Sequence, residues 1–413
     1  MKYTVVNLLA LSASVSAWLP SERNLFGEQP NSVVSNLPAG QGRTVKRFNP
    51  SFNKIRGVNL GSLFIIEPWM ASSEWSSMGC GDSKSEFDCM SKLGKEKGNA
   101  AFQKHWDSWI TEEDMDKMKE WGLNTVRVPV GYWMVEETID KASEPFATGS
   151  LAKMDRLAER AAQRNMYVIL DLHGAPGAQE HNQPFTGQYA PSAGFFNTYN
   201  YERAYKFLEV MTERIHKNKA YRTTGMLQVV NEPERNQPSL VTEFYNNAYN
   251  KIRNVEKKIG VTAQDKQLTI QFMDKAWGAG NPKDVLQGKS GVAFDDHRYL
   301  KWANIEHSKS NYIKTSCSDS FGDGGNKPVI IGEWSIAAAD NLESTPEWAP
   351  ANNKDFYRQW WAAQVQAYER EMGWVFWSWK AQLGDDYRWC YRCAVEAGVI
   401  PKDPSQAAGL AKC

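Results

Sequence analysis

The chain has 413 residues, with 48 basic and 48 acidic side chains, so it carries no overall charge with which to hold nucleic acid or an anionic membrane surface. Hydrophobic residues make up 42% and charged residues 23%, an ordinary globular balance that excludes wholesale disorder, collagen-like repeats and a coiled coil. The 17 Trp, 16 Tyr and 17 Phe supply flat apolar faces with polar edges, which serve sugar rings as well as a core.

In chain order, residues 1–17 read as a secretory leader: Lys2 is the positive head, Val5 to Val15 the apolar run, and Val15-Ser16-Ala17 the small-residue cleavage pattern. That run is far shorter than the roughly 20 residues a membrane span needs. Residues 18–47 are rich in Pro, Asn, Ser and Gly, lack periodicity and end in Lys46-Arg47, so a propeptide or an exposed arm is expected, followed by one folded domain over residues 48–413. Six Cys in a secreted chain point to disulfides. Cys80 and Cys89 bracket a short segment, and a local bridge stapling an exposed loop is expected there. Spacing alone leaves Cys317, Cys390, Cys393 and Cys413 open. A lone CxxC in a chain with six His is no zinc pattern, and neither metal nor cofactor is expected.

Eight short β-branched or apolar runs recur: Ile55 to Leu60, Thr125 to Pro129, Tyr167 to Leu172, Met226 to Val230, Leu268 to Phe272, Gly291 to Phe294, Val329 to Ile331 and Trp374 to Trp377. Amphipathic stretches separate them, among them Glu112 to Trp121 with Met115, Met118 and Trp121 on one face, Leu151 to Arg164, and Tyr201 to His216. Alternation of this kind predicts a parallel sheet, and eight repeats predict an α/β fold, a single-domain (β/α)8 TIM barrel. A doubly wound sheet is the alternative, but no GxGxxG follows the first strand.

In such a barrel the residues at the carboxyl ends of the strands share one mouth. Here they are Arg127, Asp171 and His173, Asn231-Glu232-Pro233, His297 and Tyr299, Glu333-Trp334, and Trp377-Ser378-Trp379. Glu232 and Glu333 each directly follow an apolar strand, where an unpaired charge is costly. For either alone an ion-paired core carboxylate is an alternative reading. Two of them at one mouth, beside Arg127, His173, Asn231, His297 and Tyr299, read as a working pair.

The motifs Arg127-Val128-Pro129, Asp171-Leu172-His173-Gly174, Asn231-Glu232-Pro233, His297-x-Tyr299, Gly332-Glu333-Trp334 and Phe376-Trp377-Ser378-Trp379 resemble glycoside hydrolase family 5 over residues 54 to 400. The opening Arg56 to Gly61, with Glu67-Pro68-Trp69 behind it, is similar to the fungal β-glucanases of that family, which divide into exo-β-1,3 and endo-β-1,6 enzymes. Gly61 to Met70, the Cys80 to Cys89 segment and Gly187-Gln188-Tyr189 resemble the endo-β-1,6 group. Gly177 to Gln183 departs from the Gly-Ser-Gln-Asn-Gly-Phe-Asp of the exo enzymes, so an open groove is expected in place of a closed pocket.

The resemblance implies a retaining two-carboxylate mechanism with Glu232 as acid/base and Glu333 as nucleophile. It further implies that Arg127 and Tyr299 hydrogen-bond Glu333, that Asn231 meets the sugar 2-hydroxyl, that His173 and His297 line the subsite beside the scissile bond over a Trp377 floor, and that Glu67 binds substrate. It pairs Cys317 with Cys413, leaving Cys390 with Cys393. The implied partner is a β-glucan polysaccharide or oligosaccharide acted on by a secreted monomer, with exo-β-1,3-glucanase the alternative. A non-catalytic glucan-binding protein would normally have lost one Glu, and both are present. For a bent β-1,6 chain, the cleft is expected between the Cys80 to Cys89 loop and Glu180 to Tyr189, with Trp69, Trp75, Trp133, Trp277 or Trp334 as isolated stacking faces.

Overall fold

The computed structural model describes residues 54–322 and 325–413; the expected leader and the arm through residue 47 lie outside them. Eight strands, β1 (Ile55–Asn59), β2 (Thr125–Gly131), β3 (Tyr167–Gly174), β4 (Thr224–Gln228), β5 (Thr269–Met273), β6 (Val292–Arg298), β7 (Val329–Trp334) and β8 (Gly373–Phe376), close in sequential order into one barrel. All eight pairings are parallel. After each strand in turn comes a helix: α1 (Glu112–Glu120), α2 (Ser150–Gln163), α3 (Thr198–Lys217), α4 (Asn246–Lys258), the single turn α5 (Lys283–Leu286), α6 (Lys309–Ser318), α7 (Lys354–Tyr368) and α8 (Tyr391–Glu396). The (β/α)8 barrel and its eight strands are as the sequence predicts.

The helices form where the pattern demands. Thr111 caps α1 by accepting from the Asp114 amide at 3.1 Å while Asp114 accepts from the Thr111 amide at 3.0 Å, a reciprocal cap that satisfies two otherwise orphaned donors. Met115, Met118 and Trp121 then fall on one face and are buried, sealing the outside of the sheet. In α2 the buried face is Met154, Leu157, Ala158, Ala161 and Ala162, small enough to lie close on the strands.

Inside the barrel the two-residue period of the strands sorts side chains into layers. Ile55, Ile169, Met226, Ala293 and Val375 form an apolar floor. Two residues further along the same strands stand Asp171, Gln228 and Asp295, and four residues on from Ile55 stands Asn59. This polar layer is therefore built by counting in twos from the apolar one. Gly332 makes room for it: a Cβ there would lie 2.0 Å from Asp295 Oδ1, so a larger residue would displace Asp295. Among the described residues no helix is long and apolar enough to cross a membrane.

All six cysteines pair, as Cys80–Cys89, Cys317–Cys413 and Cys390–Cys393. The first bridge differs from the expected staple on an exposed loop. Both of its sulfurs are fully buried, and Cys89 belongs to a helix, Glu86–Leu93. The bridge joins that helix to the turn after Ser72–Ser77, packed under the β1 loop.

Candidate active site

Arg127 is the centre around which the mouth is assembled. It is fully buried, and its five N–H groups donate to Asn59 Oδ1 (2.9 Å), Glu333 Oε1 (2.8 Å), Asn231 Oδ1 (2.8 Å) and twice to Gln228 Oε1 (3.0 and 2.9 Å). Asp171 and Asp295 lie 3.0 and 3.5 Å from the same guanidinium. Burial works against the charge, but Asp171, Glu333 and Asp295 outweigh it and hold the guanidinium protonated.

Glu333, the penultimate residue of β7, accepts from Arg127 through one oxygen and from the Tyr299 hydroxyl through the other at 2.8 Å. Glu232 follows the end of β4 with its backbone at φ +36°, a conformation that costs a non-glycine residue free energy and is kept where the side chain must point one way. One oxygen of Glu232, one of Glu333 and a His297 ring nitrogen all lie within 4.8 Å of one another. His297 Nδ1 is 2.6 Å from Glu232 Oε1, and Nε2 is 3.2 Å from Asp295 Oδ2. Burial disfavours its charge, yet Glu333 and Asp295 more than compensate and raise its pKa well above the ordinary histidine value. The His297 ring thus stands between three carboxylates.

His173 Nδ1 lies 2.7 Å from Asp171 Oδ2, which fixes the orientation of the ring. The His173 ring runs parallel to Trp377, 8° between planes and 5.5 Å between centroids. Glu67 accepts from Trp69 Nε1 at 2.9 Å. Burial pushes its pKa up to about 7, with nearby His173 opposing the rise, so this carboxyl is poised to donate or accept near neutrality. Asn231 uses Oδ1 on Arg127, while its buried Nδ2 has no hydrogen-bond partner.

A cavity of 610 Å³ opens over these groups, walled by Glu67, His173, Glu232, Tyr299, Glu333 and Trp377, with Trp69, Trp302 and Trp389 at one side. A second lobe of 360 Å³ shares Glu232, Gln183, Phe185, Arg235 and Trp277 with it. A larger cavity, 690 Å³, sits at the amino ends of β5 to β7 and gathers no pair of carboxylates. Volume alone would select the wrong end of the barrel.

Six of the nine predicted site residues, Glu67, His173, Glu232, Tyr299, Glu333 and Trp377, line the mouth cavity, while Arg127, Asn231 and His297 are buried behind it. The His297 side chain is 1% exposed because both ring nitrogens are drawn onto carboxylates. Three of the five expected stacking tryptophans belong to the core. Trp75 donates to Ser83 O, Trp133 stacks on Phe146 at 4.0 Å, and Trp334 is enclosed by Tyr368, Trp374 and Phe376. Trp69 and Trp277 do line the cavity, and of the expected wall from Glu180 to Tyr189 so do Glu180, His181, Gln183 and Phe185, whereas no residue from Thr186 to Tyr189 or from Cys80 to Cys89 lines it.

Sequence reasoning missed Asp295 and Gln228, which counting back two residues from His297 and forward two from Met226 would have found. It also missed Trp302, at the end of the short 3-10 helix Leu300–Trp302, and Trp389, outside any helix or strand, and Lys301, which pairs with Asp340 (2.7 Å) and Glu343 (2.6 Å) on the wall. Chemically, two carboxylates this close, one held by a guanidinium and a phenol and the other by an imidazole, can divide the work of a nucleophile and a proton donor.

Comparison with known proteins agrees with this arrangement. The family model described as cellulase, glycosyl hydrolase family 5, matches residues 90–383. A probable glucan endo-1,6-beta-glucosidase B of Neosartorya fischeri is 50% identical over 409 residues, covering 98% of both chains. The glucan endo-1,6-beta-glucosidase B of Emericella nidulans is 48% identical, again over 98% of both. Among solved structures, rutinosidase from Aspergillus niger superposes with a TM-score of 0.67 at 20% identity, over 87% of this chain and 99% of that one, a likeness of fold.

Proposed function

The chain belongs to glycosyl hydrolase family 5, and from that membership we propose that it is a secreted, monomeric, retaining endo-β-1,6-glucanase acting on the β-1,6-glucan of fungal cell walls. The observation that carries the chemistry is the proximity of Glu232 and Glu333, with oxygens within 4.8 Å. Retaining pairs stand roughly 5 to 5.5 Å apart, and inverting pairs stand further apart to admit a water. The linkage rests on the names of relatives half-identical over nearly the whole chain and on the two-lobed, open cavity.

In the proposed first step Glu333, oriented by Arg127 and Tyr299, attacks the anomeric carbon as the bond from that carbon to the leaving oxygen breaks. Glu232 gives its proton to that oxygen. A glycosyl ester on Glu333 results. In the second step Glu232, now a base, takes a proton from water as the water oxygen attacks the same carbon and Glu333 leaves. The Asn231 amide supports the transition state by donating Nδ2 to the 2-hydroxyl, a bond that strengthens as the ring flattens. His173, Trp377 and Glu67 supply the bed for the ring. His297 fixes the Glu232 carboxyl.

Secretion is supported by the leader-like residues 1–17 and by three disulfides, which persist in oxidising compartments. The test is product sizing over time on linear β-1,6-glucan, β-1,3-glucan and cellulose. A ladder of short β-1,6 oligosaccharides with β-1,3-glucan nearly untouched is the expected outcome. Glucose as the sole early product, with β-1,3-glucan cleaved faster, would establish the exo-β-1,3 alternative.

A further inference from the structure

Each proposed catalytic carboxylate has a holder, and one buried residue reaches both holders. Arg127 donates to Glu333 Oε1 at 2.8 Å, and His297 Nδ1 lies 2.6 Å from Glu232 Oε1. Asp295 Oδ2 stands 3.2 Å from His297 Nε2 and 3.5 Å from Arg127 Nη2. Asp295 is fully buried and lines neither lobe of the mouth cavity, so whatever it does for the reaction it does through one of these two side chains.

The two contacts are not equal. Every N–H of the guanidinium already has an oxygen, on Asn59, Glu333, Asn231 and twice on Gln228. Asp295 adds charge beside Arg127 without adding a bond that aims it. The His297 ring has only two nitrogens, and Asp295 faces one of them. An imidazole held at a single nitrogen can still swing about its side-chain torsions, whereas a carboxylate at the far nitrogen fixes the plane and direction of the ring. The frame around Asp295 makes that hold stiff. Asp295 and His297 are two apart on β6 and share its inward face, and the Asp295 carbonyl accepts from the Asp274 amide at 2.7 Å. On the other side the β7 backbone at Gly332 passes so close that a Cβ there would overlap Asp295 Oδ1.

We propose that Asp295 is a positioning residue for the acid/base: acting through His297, it keeps Oε1 of Glu232 engaged, so that Oε2 is the oxygen that trades its proton with the leaving group. The proposal rests on the assignment of Glu232 and Glu333 above. In the first step the proton on Oε2 passes to the leaving oxygen as the glycosidic bond breaks. In the second, Oε2 takes a proton from the attacking water. His297 and Asp295 end each step with the protons they began with. Without Asp295 the ring no longer aims Glu232, and the bonds that suffer are those whose leaving oxygen needs a proton. Attack by Glu333 is common to every substrate, so a loss transmitted through Arg127 would fall on all of them alike.

The test compares kcat/KM of the full chain on a β-1,6-linked glucose tetrasaccharide and on the dinitrophenyl glycoside of the β-1,6 disaccharide, whose leaving group departs without a proton. The β-1,3 counterparts take their place if the parent cleaves only those. Asp295→Asn keeps the size of the side chain and removes its charge. Asp295→Ser, a smaller side chain, guards against a poor fit of the amide, and melting temperatures are recorded for both. Each variant is expected to lose about 100-fold on the tetrasaccharide and less than about threefold on the dinitrophenyl substrate. Added to His297→Gln, Asp295→Asn should cost less than about threefold more on the tetrasaccharide, because residues that act as a unit are not additive. Equal losses on the two substrates, no loss on either, additive losses in the double variant, or failure of both Asp295 variants to fold would overturn the proposal. Glu232→Gln, run alongside, tests the assignment separately and should show the same contrast between substrates. The contrast in Glu232→Gln without it in the Asp295 variants overturns the proposal alone. Its absence from Glu232→Gln overturns the assignment and the proposal together.

Discussion

His297 Nδ1 lies 2.6 Å from Glu232 Oε1, while the opposite ring nitrogen faces Asp295 at 3.2 Å. The ring is thus held from both ends and holds Glu232 in turn. Because its side chain is sealed from the cavity, it acts through the carboxylates and not on the sugar. His297→Gln is expected to lower kcat by about 100-fold, in the range of general acid–base contributions, while KM changes by less than about threefold. Steady-state kinetics on β-1,6-glucan checks the split; a KM effect as large as the kcat effect would place the ring in substrate binding.

Replacing either proposed catalytic carboxylate by its amide should reduce turnover by about 1,000-fold or more. Folding should survive: in Glu333→Gln, Arg127 keeps Asp171 at 3.0 Å and Asp295 at 3.5 Å. Retention adds a second readout, since proton NMR of the first product should show the β-anomer. Release of the α-anomer first would exclude the double displacement.

Glu86 makes stability depend on pH. Its carboxyl is buried, with one oxygen accepting from the Ile66 amide at 2.9 Å and the other without a partner, and burial pushes its pKa from 4.5 to about 8. The unfolded chain ionises this group near 4.5 and the folded chain does not until about 8, so ionisation favours unfolding across that window. Glu86→Gln should therefore match the parent near pH 4 and become progressively more stable than it up to pH 8. Thermal melts at pH 4, 6 and 8 measure this, and a pH-independent difference would contradict it.

The Cys317–Cys413 bridge closes 96 residues of sequence and Cys390–Cys393 only 3. In the chain-entropy account a loop of the first size is worth on the order of 4 kcal/mol and a loop of the second size much less. Cys317→Ala/Cys413→Ala should therefore lower the denaturation free energy by about 2–4 kcal/mol, with Cys390→Ala/Cys393→Ala costing clearly less. Urea melts of the two double variants rank them.

The barrel was legible because its strands are buried on both sides and read as apolar runs. Their ends were less so. β3, β6 and β7 run on to Gly174, Arg298 and Trp334, past the last apolar residue, since Asp171, His173, Asp295 and His297 alternate inward and satisfy one another within the strands. The catalytic pair and Arg127 were legible by position. The tryptophans were not: Trp133 and Trp277 look alike in sequence, and only long-range packing decides that one lies against Phe146 and the other against the second lobe of the cavity.

Arg127 reaches partners on β1, β4 and β7 and lies against carboxylates on β3 and β6. Any exchange that moved one of these strands would unbalance the rest, so the strand ends can change only as a set. The segments from Glu180 to Phe185, around Arg235 and around Trp277 carry none of those bonds. The strand ends are thus one cooperative unit, and the loops above them are joined to it through the turn that follows β4, where Gln179 donates to Asn231 O and Trp277 to Pro233 O.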